Sequence, residues 1–171
     1  MAVTADLFRK GMRRLGGAVT IVTTTDQSGK WAGLTATAVT SLSATPPRLL
    51  ACVNRQGGTY DTISRGRNLC INVLGVEHLA LAKRFAGMEG EPESERFVGN
   101  LWETLATGAP ALHGALANFD CVVDSIMDVG SHGIVIGLVS AVRVAPSVGG
   151  SEARAGALAY IDGAWSTLAA L

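Results

Sequence analysis

The chain has 171 residues, 14 basic and 14 acidic side chains, and a formal net charge of zero. That balance leaves no surplus of cations to neutralise phosphates and speaks against a nucleic-acid partner. Apolar residues make up 48% and charged residues only 16%, against about 25% charged in ordinary chains. One domain over 1–171 with a sizeable core is therefore expected, with part of its surface shielded in an oligomer. The apolar runs are strand-length and interrupted by Gly or Thr, so no membrane span is expected. No basic n-region and apolar h-region open the chain, which predicts a cytoplasmic protein.

In chain order, Thr4 to Leu15 has Leu7, Phe8, Met12 and Leu15 spaced for one face of a short amphipathic helix. Gly16-Gly17 ends it. Ala18 to Thr25 is β-branched, Asp26 to Gly29 reads as a turn, and a second strand starts at Trp31. A strand is predicted over Arg48 to Val53, one or two helical turns over Thr59 to Arg65, and a strand over Asn68 to Leu74. Glu77 to Phe85 has Leu79, Ala82 and Phe85 on one helical face. Gly87 to Gly99 (GMEGEPESERFVG) is polar and carries Gly and Pro, the composition of a mobile loop. Ala117 to Val129 and Gly133 to Ala145 are long strand candidates. A Gly-rich tail, Ser147 to Gly156, precedes a strand near Leu158 to Ile161 and a turn at Asp162-Gly163. Short connections favour antiparallel pairing. The expected architecture is mainly β with a few helices, closed or nearly closed into a barrel.

The segment GLTATAVTSLSATPP (Gly33 to Pro47) is dense in Thr, Ser and Ala and almost free of charge. Read blandly, it is an edge strand with a polar face in water. Read functionally, Thr35 and Thr37 share one face by alternation. Ala36 and Ala38 then leave room for a planar heterocycle to approach the backbone. Asn54-Arg55-Gln56-Gly57-Gly58-Thr59 is an ordinary Gly-bearing loop or an anion seat at a loop-to-helix junction. In the second case Thr59 caps the helix and Arg55 adds charge. Neither GxxxxGK[ST] nor GxGxxG occurs, so a phosphate site here is of another kind. His132, in Gly130-Ser131-His132-Gly133, is a lone turn histidine. His78 and His113 lie far from it without metal-ligand spacing, so no metal site is expected. Cys52, Cys70 and Cys121 are dispersed, sit in apolar runs and form no CxxC, which predicts buried reduced thiols. With no GxSxG elbow, any redox chemistry would come from an organic cofactor.

Taken in order, several segments resemble the short-chain flavin reductases. These are split-barrel FMN-binding proteins of the type of the reductase component of 4-hydroxyphenylacetate 3-monooxygenase. The resemblance rests on GGAVTIVTT (Gly16 to Thr24), GLTATAVTSLSATPP, LACVNRQGGT (Leu50 to Thr59) and NLCINVL (Asn68 to Leu74). It continues through RFAGMEGEPESERF (Arg84 to Phe97), GAPALHGALANFDC (Gly108 to Cys121), VGSHGIVIGLV (Val129 to Val139) and the late Tyr160.

The resemblance implies an antiparallel, Greek-key-like split barrel that carries FMN or FAD at a homodimer interface. It implies Thr35, Ala36, Thr37, Ala38 and Ser41 on the flavin, with Val53, Asn54, Arg55 and Thr59 towards ribityl and phosphate. Arg84 and Phe85 fall at the border of phosphate and nicotinamide, and Tyr160 joins the cofactor-binding set. The turn histidine, His132, would approach the nicotinamide, with Ser131 standing where the family pattern has Asp or Thr. The implied reaction is hydride transfer from C4 of NADH or NADPH to flavin N5, supplying reduced flavin to a partner monooxygenase. Two alternatives stay open. One is electron transfer from bound flavin to an acceptor such as a cobalt corrinoid or ferric chelate. The other is a flavin-binding module without reductase activity. The 87–99 loop would act as a lid on the nicotinamide side.

Overall fold

A computed structural model describes residues 2–146 and 156–168. Among these the first strands are β1 (Gly17–Ala18), β2 (Thr20–Thr25), β3 (Trp31–Ala36), β4 (Val39–Ala44), β5 (Pro47–Asn54) and β6 (Asn68–Val73). They are followed by β7 (Trp102–Thr104), β8 (Pro110–Leu112), β9 (Ala117–Val129), β10 (His132–Val144), β11 (Ala157–Ile161) and β12 (Ala164–Leu168). The α-helices are α1 (Ala5–Arg13), α2 (Gly58–Gly66) and α3 (Leu79–Phe85), with short 3-10 turns at Val76–His78 and Glu93–Glu95.

The main sheet runs β3-β2-β6-β9-β10-β5-β4, every pair antiparallel. Its two outermost strands, β3 and β4, are neighbours in sequence, joined only by Thr37 and Ala38. Two residues cannot bridge a flat seven-stranded sheet, because the chain advances at most about 3.6 Å per residue and strands lie about 4.8 Å apart. The sheet therefore curls until its edges meet at this connection, and the Ala38 carbonyl accepts the Cys52 amide at 2.9 Å, carrying the β4–β5 ladder back to it. The result is a split β-barrel. Its interior is filled by Val22, Leu69, Ile71, Cys121, Val123, Val135, Leu49, Ala51 and Val53, with Ile63 of α2 added.

A second core covers the outer face of β2 and β6. Val19, Ile21 and Leu74 meet Ala82 and Phe85 of α3, Leu112 of β8 and Leu158 of β11. Between that face and β8 lies a buried polar knot. The Asn72 amide nitrogen donates to the Ile21 carbonyl at 2.9 Å and to Thr23 Oγ1 at 3.1 Å. Its Oδ1 accepts the Leu112 amide at 2.7 Å and Asn118 Nδ2 at 2.8 Å. Arg143 then donates to Asn118 Oδ1 at 2.8 Å and to the Leu112 carbonyl at 2.8 Å.

The structure departs from the sequence expectations at identifiable points. The strand expected over 18–25 breaks at Val19, because β1 leaves to pair with β11 while β2 stays in the barrel. The stretch after Ala36 contains a bend and a further strand, β4. Thr35 and Thr37 therefore do not share one strand face. β7, β8 and β12 were not expected at all. The 3-10 turn and the contacts described below pin the 87–99 segment at several points. The Gly-rich tail over Ser147 to Gly156 lies outside the described residues except for Gly156. The long strands at 117–129 and 132–144 fall within one residue of their expected bounds.

Asn72→Ala would strand the Leu112 amide and take one acceptor from Asn118 Nδ2 in a dry interior. It should lower the unfolding free energy by about 2–4 kcal/mol, read as a lower urea midpoint at unchanged m-value. A variant within 0.5 kcal/mol (about the error of such a measurement) would mean that the knot contributes nothing.

Candidate functional site

A groove of about 920 Å³ opens where the barrel edges close. Its polar floor comes from Thr37, Ala38, Thr40, Ser41 and Ser43, and β1 and Tyr160 of β11 stand along it. α1 forms a further wall through Phe8, Met12 and Leu15. Thr4 caps this helix, its Oγ1 accepting the Leu7 amide at 3.2 Å. The apolar stripe expected on it is present but uncovered, with Phe8 60% and Leu15 73% exposed. Small side chains at Ala38 and Gly17 and hydroxyls on one side give a slot that suits a flat, amphipathic ligand.

Of the residues nominated from sequence, Thr37, Ala38, Ser41 and Tyr160 line this groove. Thr35 and Ala36 do not. The Thr35 hydroxyl turns away and donates to the Ala82 carbonyl of α3 at 2.7 Å, while the Ala36 carbonyl accepts from Thr20 Oγ1 at 2.9 Å. Val53 and Phe85 have their side chains in the two cores.

A second group gathers at the far end of β5. His132 lies directly opposite Asn54 in the β5–β10 register. Asn54 Oδ1 accepts the Gln56 amide at 2.9 Å, shaping the corner before α2. The Arg55 amide donates to the Ser131 carbonyl at 3.0 Å. Ser131 Oγ lies 2.8 Å from His132 Nδ1, which leaves Nε2 of the exposed ring for another partner. Thr59 does not cap α2; Gly57 does. Thr59 is the second residue of the helix, in its first turn, and its hydroxyl donates to the Glu93 carboxylate.

That contact was not foreseen. A Cβ at Gly58 would overlap the same carboxylate, so Glu93 sets a negative charge against the first turn of α2, where the helix dipole favours one. Arg96 stands 4.0 Å from Glu93 and donates to the Gly33 carbonyl at 3.0 Å. Arg84 is faced by Glu89 at 3.7 Å and Glu91 at 3.6 Å. Phe97 closes the strap, edge-on to Phe85 and to Trp102 with centroids 5.0 Å away in each case. The sequence signal was available: acidic residues alternate over 89–95 beside Arg84, in a loop next to a candidate anion seat.

Two thiols are removed from chemistry by their surroundings. Burial pushes Cys121 up to about 12, with Asp120 adding to the shift. Cys70 is driven higher still, again chiefly by burial.

Residues 12–169 match the flavin reductase like domain family. The chain belongs to that family. It is 46% identical over 127 residues to the FMN reductase (NADH) RutF of Serratia proteamaculans (strain 568), covering 74% of this chain and 71% of that one. Among solved structures, a candidate flavin reductase of Haemophilus somnus 129PT superposes with a TM-score of 0.86 at 34% identity. That match covers 97% of this flavin reductase family member and all of the other chain. BorF, the flavin reductase component of a bacterial two-component tryptophan halogenase, superposes with a TM-score of 0.84 at 26% identity. Here 96% of this chain and 98% of BorF are covered.

Because the thiolate is the reacting species, Cys70 and Cys121 should resist an aromatic disulfide reagent at pH 8 in the folded protein. All three thiols should react in denaturant. Any fast reaction of the native protein should vanish in Cys52→Ser; fast reaction persisting in that variant would show that one of the buried thiols is accessible.

Proposed function

We propose that this flavin reductase family member oxidises NADH and reduces FMN, and works in the cytoplasm as a single domain and a homodimer. Reduced flavin then passes to a partner monooxygenase. The observation that carries the reading is the groove at the barrel closure. Four of the residues expected in the cofactor-binding set line it, Thr37, Ala38, Ser41 and Tyr160, and its volume falls in the range of small-molecule sites, about 300–1,000 Å³.

The residues present fit such a cofactor. Thr37 and Ser41 offer hydroxyls to the polar edge of a ring, and Ala38 lets the ring lie against the backbone. Tyr160 supplies an aromatic wall, held edge-on to Trp165 at 5.1 Å between centroids. A bound flavin would supply an N5 that accepts hydride from nicotinamide C4. This chain's residues contribute by alignment and by excluding water, since hydride transfer needs no protein nucleophile. Asn54 and Thr59 would serve the ribityl–phosphate side, and His132 the nicotinamide side. NADH and FMN are the substrates in the names of the RutF relatives, which supports them here over NADPH and FAD. The bare apolar face of α1 supports a second copy as the missing cover of the groove. BorF, as the reductase of a two-component system, supports a partner oxygenase of that general kind.

The test is anaerobic stopped-flow mixing of NADH with the protein and one equivalent of FMN. Rapid loss of the oxidised-flavin absorbance supports the reading. A spectrum that persists with bound FMN, and with NADPH also inert, overturns it in favour of a binding module.

Glu93 gives a sharper expectation. Removing its charge should free the α2 N-terminus for a phosphate, so Glu93→Gln should tighten FMN by about two- to fivefold, the scale of a charge at a helix end. Riboflavin, which lacks the phosphate, should bind as before. Equal shifts for both flavins would place the phosphate elsewhere.

A further inference from the structure

The role expected of Arg55, a charge on the flavin phosphate, does not match where its side chain goes. Its Nη2 lies 3.0 Å from Asp128 Oδ2, and its Nη1 donates to the Gly130 carbonyl at 3.2 Å. The Tyr60 hydroxyl donates to the other oxygen of the same carboxylate. The Arg55 guanidinium stands 5.9 Å from the Tyr60 ring centroid. That ring packs so closely on β10 that a Cβ at Gly133 would overlap it. Asp128 and Gly133 flank the 129–132 turn on its two strands, where they face each other in register. Residues 55 and 60 therefore grip both legs of the hairpin that carries His132. Asp128 also holds the Tyr60 phenol above its ordinary pKa, so at neutral pH the phenol keeps the proton it donates.

We propose that Tyr60, together with Arg55 and Asp128, is a clamp that positions the Gly130–His132 turn and so places His132 beside Asn54 for the hydride step. The proposal rests on the reductase reading above. Half-exposed ion pairs of this kind add little to stability. Arg55 and Asp128 are 41% and 46% exposed. The clamp's effect is therefore on geometry, and catalytic alignment is far more sensitive to small displacements than folding is. Neither Tyr60 nor Asp128 needs to touch a substrate. Each acts through the turn.

Four proteins decide the question: wild type, Tyr60→Phe, His132→Ala and the double variant. They are compared by single-turnover anaerobic reduction of bound FMN by NADH. Tyr60→Phe keeps the ring on Gly133 and removes only the hydrogen bond. It should slow flavin reduction by about five- to tenfold while the FMN Kd and the melting temperature stay as in wild type. Asp128→Asn should do the same. The deciding expectation is that Tyr60→Phe adds no further slowing once His132 is Ala, because a positioning residue has nothing left to position.

Wild-type rates in Tyr60→Phe, or decrements that multiply in the double variant, overturn the clamp. So does a His132→Ala protein as fast as wild type. A wild-type protein that binds FMN and is not reduced by NADH instead overturns the reductase reading, and the proposal with it; the wild-type trace alone reports that case.

Discussion

The rest of this molecule depends on a two-residue connection. Because Thr37 and Ala38 alone join the outermost strands of a seven-stranded sheet, the sheet has to close on itself. The Ala38–Cys52 hydrogen bond carries the β4–β5 ladder right up to that connection. Closure sets the curvature, and curvature creates an inside for the aliphatic residues of the strands and of α2. At the seam β1 runs close to the β3–β4 connection: a Cβ at Gly17 would stand 3.3 Å from Thr37. Small and hydroxyl-bearing residues collect there for packing reasons first, and the groove inherits them as a lining.

Eight of the nominated functional residues gather at two places, a groove at the seam (Thr37, Ala38, Ser41, Tyr160) and a corner where β5 meets α2 (Asn54, Arg55, Thr59, His132). The corner differs from the seam in being held largely by polar contacts among the ends of β5, β9 and β10 and the first turn of α2. Asn54, Arg55, Ser131, Asp128 and Tyr60 are tied to one another, and Glu93 ties the 88–97 strap to α2. Interactions of this kind fix direction more than they add stability. That suits a region which must hold its shape while admitting and releasing a ligand. Stability is supplied elsewhere, by the two aliphatic cores and the Asn72 knot.

The legible parts of this fold were those in which local pattern and tertiary role agree. The 117–129 and 132–144 strands are long and rich in β-branched residues, and nothing else could be made of them. The break at Val19 was hidden because the residues on both sides are equally strand-like, and only the choice of partner separates them. β4 was hidden because Val39 to Ala44 is a strand with Thr and Ser where aliphatics are usual. Thr37 and Ser41, which line the groove, stood out because hydroxyl residues are unusually dense in their segment. Thr35 belonged to the same pattern, yet its hydroxyl went to α3, a choice made by a helix residue 47 positions away in sequence. Arg55 was read from its own loop; its partner, Asp128, lies at the end of a strand with no local mark.

The C-terminal hairpin has one more consequence. Tyr160 reaches the groove because β11 pairs with Gly17–Ala18, so the wall is assembled from the two ends of the described chain. The barrel strands β2 to β10 pair with one another without this hairpin, but the groove has no completed side until β11 has paired with Gly17–Ala18. The core can thus be closed while the groove still lacks a wall, so opening of the hairpin alone would release a ligand and leave the barrel intact.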